Sequence, residues 1–313
     1  MGKKDSASKK YFSDSERFAD LINGICFEGR QILKGENLTE IDSHVGNRTR
    51  DVAKKALFGT TFVILGEENQ ETVDYSLPVR IMESDVEDYK KEVSEIQKEM
   101  RKKLKRNDSS NLGSSGERLY LYPKNARISP VITFVLSNAE NWDGPRGLRD
   151  MLKLEELPED LLPYIIDYRL NIVEIPKLTD EEMKRFRTDL RQVMMFLRYL
   201  RDKEKLKCLL EEDISYQNID QDAYNLMKEY ARLEKYSLND KHTEGGNQNM
   251  RTAFDEVWEE GVERGRDEGI AIFIQDKIED GVDRGIIRER LIKKFSLPED
   301  KADQYLDAGF NVS

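Results

Sequence analysis

The segment Leu57-Phe58-Gly59-Thr60-Thr61-Phe62-Val63-Ile64-Leu65 constrains this chain more than any other. Glycine at the first central position of a two-residue loop suits a type II′ turn, because that position needs a positive φ. The continuous apolar run at 62–65 suits a buried strand. Residues 48–58 and 61–70 are therefore predicted to pair as a hairpin. With Phe58 opposite Thr61, each step back matches a step forward, and Asp51 falls opposite Glu68. Directly opposed Cβ atoms are roughly 4.5–5.5 Å apart, and like charges there repel. Two readings follow. A divalent cation lies between the two carboxylates, or both are strand-end residues paired with Arg48, Arg50 or Lys54. A one-residue change of register would put them on opposite faces.

The first reading has a definite chemistry. Two carboxylates without cysteine or histidine suit a hard cation, Mg²⁺ or Mn²⁺. Mg²⁺ takes one or two protein carboxylates and completes its shell with water and substrate phosphate. So held, it polarises a phosphoryl oxygen and acidifies bound water. Gln70 lies two residues beyond Glu68, on the same strand face, where its amide can orient a water but carries no charge. Lys54 and Lys55 are the nearest lysines, yet the four residues from Asp51 to Lys55 span about 13 Å of strand.

Composition narrows the alternatives. Only His44 and His242 are present, which argues against zinc hydrolases, Ser-His-Asp hydrolases and deaminases. Cys26 and Cys208 suggest neither a disulfide framework nor a zinc site, and the expected setting is a reducing cytoplasm. No run of roughly 18 apolar residues occurs, and the basic start Met1-Gly-Lys-Lys is not followed by an apolar segment, so neither a membrane span nor a secretory signal is expected. The net charge of −11 lowers the prospect of a nucleic-acid partner. It does not remove it, since charges beyond about 8 Å are screened and a local basic surface can act alone.

The 313 residues allow about two domains. Residues 1–14 read as a frayed, flexible arm. A helix is expected at 15–30, a charged helix at 89–106, a loop at 107–116, a strand at 130–136, a short helix at 147–154 and a strand at 171–175. From 179 the pattern is helical: 179–201, 203–211 and 219–236, then a linker at 240–249, a charged helix at 251–280 and short helices at 284–294 and 298–307. The order indicates an α/β core at 15–178, a helical extension at 179–245 and a C-terminal helical tail at 246–313.

Arg48-Thr-Arg-Asp51, then Phe62-Val-Ile-Leu-Gly-Glu-Glu-Asn-Gln-Glu-Thr-Val-Asp-Tyr75 and Pro78-Val-Arg-Ile-Met82, resemble the signature of the PD-(D/E)xK transposase and recombination-promoting nuclease group. Tyr11-Phe-Ser-Asp14, the stretch 18–31, Ser115-Gly-Glu-Arg-Leu-Tyr120, Pro130-Val-Ile-Thr133 and Trp142-Asp-Gly-Pro145 resemble further parts of it. The resemblance covers most of residues 10–200. It implies a restriction-endonuclease-like core, a mixed sheet flanked by helices, and Mg²⁺-dependent cleavage of DNA. By position it implies Asp51 and Glu68 as metal ligands, the Asn69 carbonyl as a further ligand, and Gln70 in the place of the motif lysine. Asp20 matches an acidic residue that completes the site in some members.

Lys98, Lys102 and Lys105 share one face of the charged helix, with Arg101 and Arg106 beside them. Arg101, Lys102, Lys105 and Arg106 are thus candidate DNA contacts. The other reading is a solvated helix salt-bridged through Glu92, Glu95 and Glu99. Gly261, Gly265 and Gly269 recur every fourth residue and would let a second helix approach closely, and apolar residues follow them. A homo-oligomer, a dimer through the C-terminal helices, is the expectation. Two alternatives to an endonuclease stay open: a nuclease-fold protein that binds DNA without cutting, and a helical interaction protein with a vestigial core.

Overall fold

In a computed structural model, which describes residues 3–41, 44–45, 48–49, 51–105, 113–233 and 247–310, the hairpin at Gly59 forms with the expected register. Strands β4 (Val52–Phe58) and β5 (Thr61–Gln70) pair from Phe58↔Thr61 to Val52↔Glu67; Gly59 has φ 61° and Thr60 does not share the positive φ. Arg106, Arg50, His242 and the side chains of His44 and Arg48 lie outside the described residues.

The elements before the hairpin are α1 (Lys3–Ser13), α2 (Ser15–Cys26), β1 (Leu38–Glu40), β2 (His44–Val45) and β3 (Arg48–Thr49). After it come α3 (Leu77–Lys105), α4 (Ser115–Tyr120), β6 (Val131–Ser137) and β7 (Asn171–Glu174). Then the chain is helical: α5 (Asp180–Met183), α6 (Leu190–Tyr199), α7 (Lys203–Glu212), α8 (Gln221–Tyr230), α9 (Met250–Glu279), α10 (Arg284–Phe295) and α11 (Glu299–Phe310). The fold is mixed α/β. The five-stranded sheet has the order β1-β4-β5-β6-β7, antiparallel from β1 to β5 and parallel from β5 to β7. The β5-to-β6 connection crosses through α3, as a parallel pair requires.

Several expectations change. Residues 3–13 are not a frayed arm but a helix whose Tyr11 and Phe12 are buried in the main core, with Tyr11 Oη donating to Asp189 at 2.9 Å. The strand expected from Arg48 begins at Val52, because the chain bends at Asp51 and Arg48–Thr49 pairs with His44–Val45 instead. Helix α3 starts twelve residues earlier than the expected 89, with Pro78 in its first turn, where the missing N–H costs nothing. The helix expected at 147–154 is a 3₁₀ turn at Leu148–Met151, and 179–201 divides into α5 and α6.

The division at 178/179 separates sequence but not core. One apolar cluster joins Tyr11 and Phe18 with Val52, Ala56 and Leu65 of the hairpin, then with helices α6, α7, α8 and the start of α9. The opposite sheet face is covered by α3 through Leu77 and Ile81, packed with Val135 and Trp142. A separate cluster of Ile270, Ile274, Ile287, Leu291 and Leu306 holds α9, α10 and α11 together. Among the described residues no helix is long and apolar enough to cross a membrane.

Candidate active site

Strand period places successive side chains of β5 on opposite faces. Leu65 and Glu67 therefore face the core under α1, α2 and α8, and Glu68 and Gln70 face α3. Two lysines of β4 follow the same rule. Lys54 is fully buried and donates to the Ser13 carbonyl at 2.6 Å and Ser15 Oγ at 3.1 Å. Lys55 points to the α3 side and binds Glu92 at 2.8 Å. Neither lysine forms a hydrogen bond or ion pair with Asp51, Glu67 or Glu68, so Lys54 does not pair with the strand-end carboxylates of the hairpin.

Asp51 sits one residue before the last ladder pair, at a bend. Its Oδ2 accepts the Asn69 backbone N–H at 2.9 Å, so a side chain extends the ladder where the strand has ended. Burial pushes the Asp51 carboxyl up, and that hydrogen bond opposes the shift. Glu68, 6% exposed, is held from the other side. Arg80 Nη2 donates to its Oε1 at 2.7 Å and Gln70 Nε2 at 3.2 Å. Arg80 also pairs with Asp74. Burial alone would raise Asp74, but donation from Ser76 and Arg80 holds it below the usual carboxylate range.

The structure thus brings Asp51, Glu68, Asn69 and Gln70 to one end of the hairpin, and engages Asp51 and Glu68 through different partners. Beside Glu68 on β5, facing the core, is a residue that strand spacing did not single out. Glu67 is 0% exposed, and neither of its carboxylate oxygens has a hydrogen-bond partner among the described residues. Burial pushes its carboxyl well up, and the charges of Asp51 and then Glu68 push it further. Arg80 is the second such residue. Twelve residues from Glu68 in sequence, it reaches the site only because the first turn of α3 packs there. The signal for Glu67 was present as a third carboxylate in Glu67-Glu68. The signal for Arg80 was not, since it rests on where α3 begins.

Asp20 does not join this group. Both its oxygens accept from the backbone between α5 and α6: Arg187 N at 3.0 and 2.8 Å, Thr188 N at 2.7 Å and Thr188 Oγ1 at 2.8 Å. It caps the turn between α5 and α6. Arg101, Lys102 and Lys105 lie exposed at the C-terminal end of α3, about 32–38 Å from Arg80 at 1.5 Å rise per residue.

Asp51 and Glu67 are the carboxylates at this end of the hairpin that could hold a cation. An ionised carboxylate buried without a donor is costly unless it is neutralised, and Glu67 has two bare oxygens beside a second carboxylate. No group of three His, Cys, Asp or Glu side chains converges among the described residues. Mg²⁺ does not need one, since water and phosphate supply most of its shell. The approach is from the strand ends, where Asp51, Asn69, Gln70 and Glu71 are half-buried. Behind them the site is closed by α1 and α8, where Lys4 binds Glu71 at 2.6 Å and Ser8 Oγ lies 3.4 Å from Tyr230 Oη. No protein-family model, no curated protein and no solved structure matches this chain.

Proposed function

We propose that this protein is a Mg²⁺- or Mn²⁺-dependent DNA endonuclease of the PD-(D/E)xK transposase and recombination-promoting type, acting in the cytoplasm. One observation carries the reading: Glu67, buried with no hydrogen-bond partner, lies within electrostatic reach of Asp51 and Glu68 at the accessible end of the hairpin. A cation held by Asp51 and Glu67 would neutralise that pair, and a phosphodiester backbone is a substrate that shares one. The element order, a helix, antiparallel strands, a crossover helix and a parallel strand, is compatible with the restriction-endonuclease-like core that the resemblance implies.

Asp51 and Glu67 would hold the ion, with the Asn69 carbonyl as a further ligand, while Glu68 on the opposite strand face would position Arg80 and Gln70. When bound, the ion polarises the phosphoryl oxygen and acidifies a water. The remaining work falls to the chain. Asn69 N–H fixes the Asp51 carboxylate. Gln70, which replaces the motif lysine, orients a water by hydrogen bonding and cannot take its proton. Arg80 supplies the positive charge that Gln70 lacks, as a planar donor that matches phosphate oxygens.

The test is nicking of supercoiled plasmid with Mg²⁺ by the parent, Asp51→Ala, Glu68→Ala and Arg80→Ala. Loss of nicking in the first two is expected, and a drop of tenfold or more in the third. If Asp51→Ala and Glu68→Ala cut as well as the parent, the site is misassigned.

A second reading is a protein of this fold that binds DNA without cutting it. The observation in its favour is that Arg80 and Gln70 both close on Glu68 Oε1, and neither side chain can act as a base. It predicts salt-dependent binding in the presence of metal and no nicking. A third, a helical interaction protein with a vestigial core, predicts no heat of Mg²⁺ or Mn²⁺ binding. Self-association belongs to either reading. It would use the exposed middle of α9, where a Cβ added at Gly261, Gly265 or Gly269 meets nothing within 4 Å. A concentration-independent monomer mass in sedimentation would sink it.

A further inference from the structure

The geometry points to a second nucleic-acid contact, a stacking platform for unpaired bases built by α4 on the C-terminal end of α3. The proposal rests on the reading above only for the identity of the polyanion.

Residues 98–105 and 115–127 together carry eight Lys or Arg against two Glu, in a chain whose net charge is −11. Both glutamates are already used. Glu99 binds Lys102 at 2.6 Å. Glu117 accepts the backbone N–H groups of Ser114 at 2.5 Å and Lys124 at 2.8 Å, closing the turn around α4. The surface that remains is basic.

On that surface stand two large apolar side chains. Leu119 is 73% exposed and Tyr120 is 70% exposed. The backbone that carries them is held in place. Gln97 Nε2 of α3 donates to the Tyr120 carbonyl at 3.1 Å, and α4 ends sharply at Leu121, with φ 57°. An exposed aromatic ring on a basic surface is the arrangement on which successive bases stack while the groove tracks their phosphates. A duplex hides the base faces, so the ring selects unpaired nucleotides.

The platform also lines up with the carboxylate site. At about 100° per residue, Lys98, Arg101, Lys102 and Lys105 lie within roughly 60° of the direction of Arg80 on α3. Gln97, which holds Tyr120, lies about 25 Å along the helix from Arg80, a distance that corresponds to about seven to eight base pairs at 3.4 Å each. The substrate class is therefore DNA with a single-stranded stretch about seven to eight base pairs from the scissile bond.

The experiment is fluorescence anisotropy of the full chain in EDTA buffer, with a labelled 20-nucleotide oligo-dT and a blunt 20-base-pair duplex as probes. Oligo-dT should bind at least tenfold more tightly than the duplex. Tyr120→Ala should weaken oligo-dT binding about tenfold, the contribution of one stacked base, and leave duplex binding unchanged, while Tyr120→Phe retains it. Arg101→Ala should lower the log–log salt slope on oligo-dT by about 0.7. Equal binding of the two probes, an unchanged Tyr120→Ala variant, or preference for phosphatidylserine vesicles over oligo-dT would each overturn the proposal. Because no metal is present, these outcomes are independent of whether the protein cuts.

Discussion

The backbone N–H of Asn69 donates to Asp51 Oδ2 at 2.9 Å, so the carboxylate that ends β4 is tied to the backbone of β5 just past the last ladder pair. An asparagine at position 51 keeps that acceptor and loses the charge. Asp51→Asn is therefore expected to fold like the parent and to lose Mg²⁺-dependent nicking. Asp51→Ala should lose nicking too and, in addition, about 1.5–3 kcal/mol of stability, as for other hydrogen bonds to charged groups. Chemical denaturation of the two variants side by side measures the difference. Equal stability would mean that the Asn69 contact contributes nothing.

Glu67 makes the metal-free protein sensitive to pH. Its folded carboxyl is pushed above the ordinary glutamate value, first by burial and then by Asp51 and Glu68. The stability linked to such a group is fully present below its unfolded value of about 4.3 and is lost as pH rises through the raised folded value. In EDTA the melting temperature should therefore fall from pH 5 toward pH 8. Mg²⁺ should restore it most at the upper end. Glu67→Gln should flatten the profile and blunt the Mg²⁺ response. A parent profile that rises with pH over this window, or a variant identical to it, counts against this account.

Asp20 separates a structural acid from a metal ligand. Three groups, Arg187 N, Thr188 N and Thr188 Oγ1, donate to its oxygens. Asp20→Ala should cost about 0.5–2 kcal/mol, the range for losing a side-chain cap. Nicking by the folded variant should be unchanged under saturating Mg²⁺. Nicking that recovers only at raised Mg²⁺ would place Asp20 at the metal after all.

The first helix belongs to the core. Tyr11 is fully buried, donates to Asp189 and stacks under the Arg17 guanidinium at 4.4 Å from the ring centre. Tyr11→Ala should cost about 3–5 kcal/mol, as large aromatic truncations do. Removing residues 1–10 should leave Tyr11 in place and cost less. If thermal melts show both changes to be silent, α1 is a detachable arm.

What this sequence determined by itself is local. A glycine at the turn and an apolar run after it were enough to read the β4–β5 register from Phe58↔Thr61 onward, because side-chain alternation and turn chemistry act over a few residues. The strands near 131 and 171 and the helices near 203, 250 and 284 were legible for the same reason. Tertiary structure decided which charges meet. Glu67 and Glu68 are neighbours of the same type, yet one is buried bare and the other is clamped by Arg80. That outcome follows from α1 and α8 covering one sheet face and α3 the other. Asp20 is occupied by residues 167 positions away, and Tyr11 by one 178 away. Burial and partner choice depend on packing between distant segments, and no periodicity within the chain carries that information.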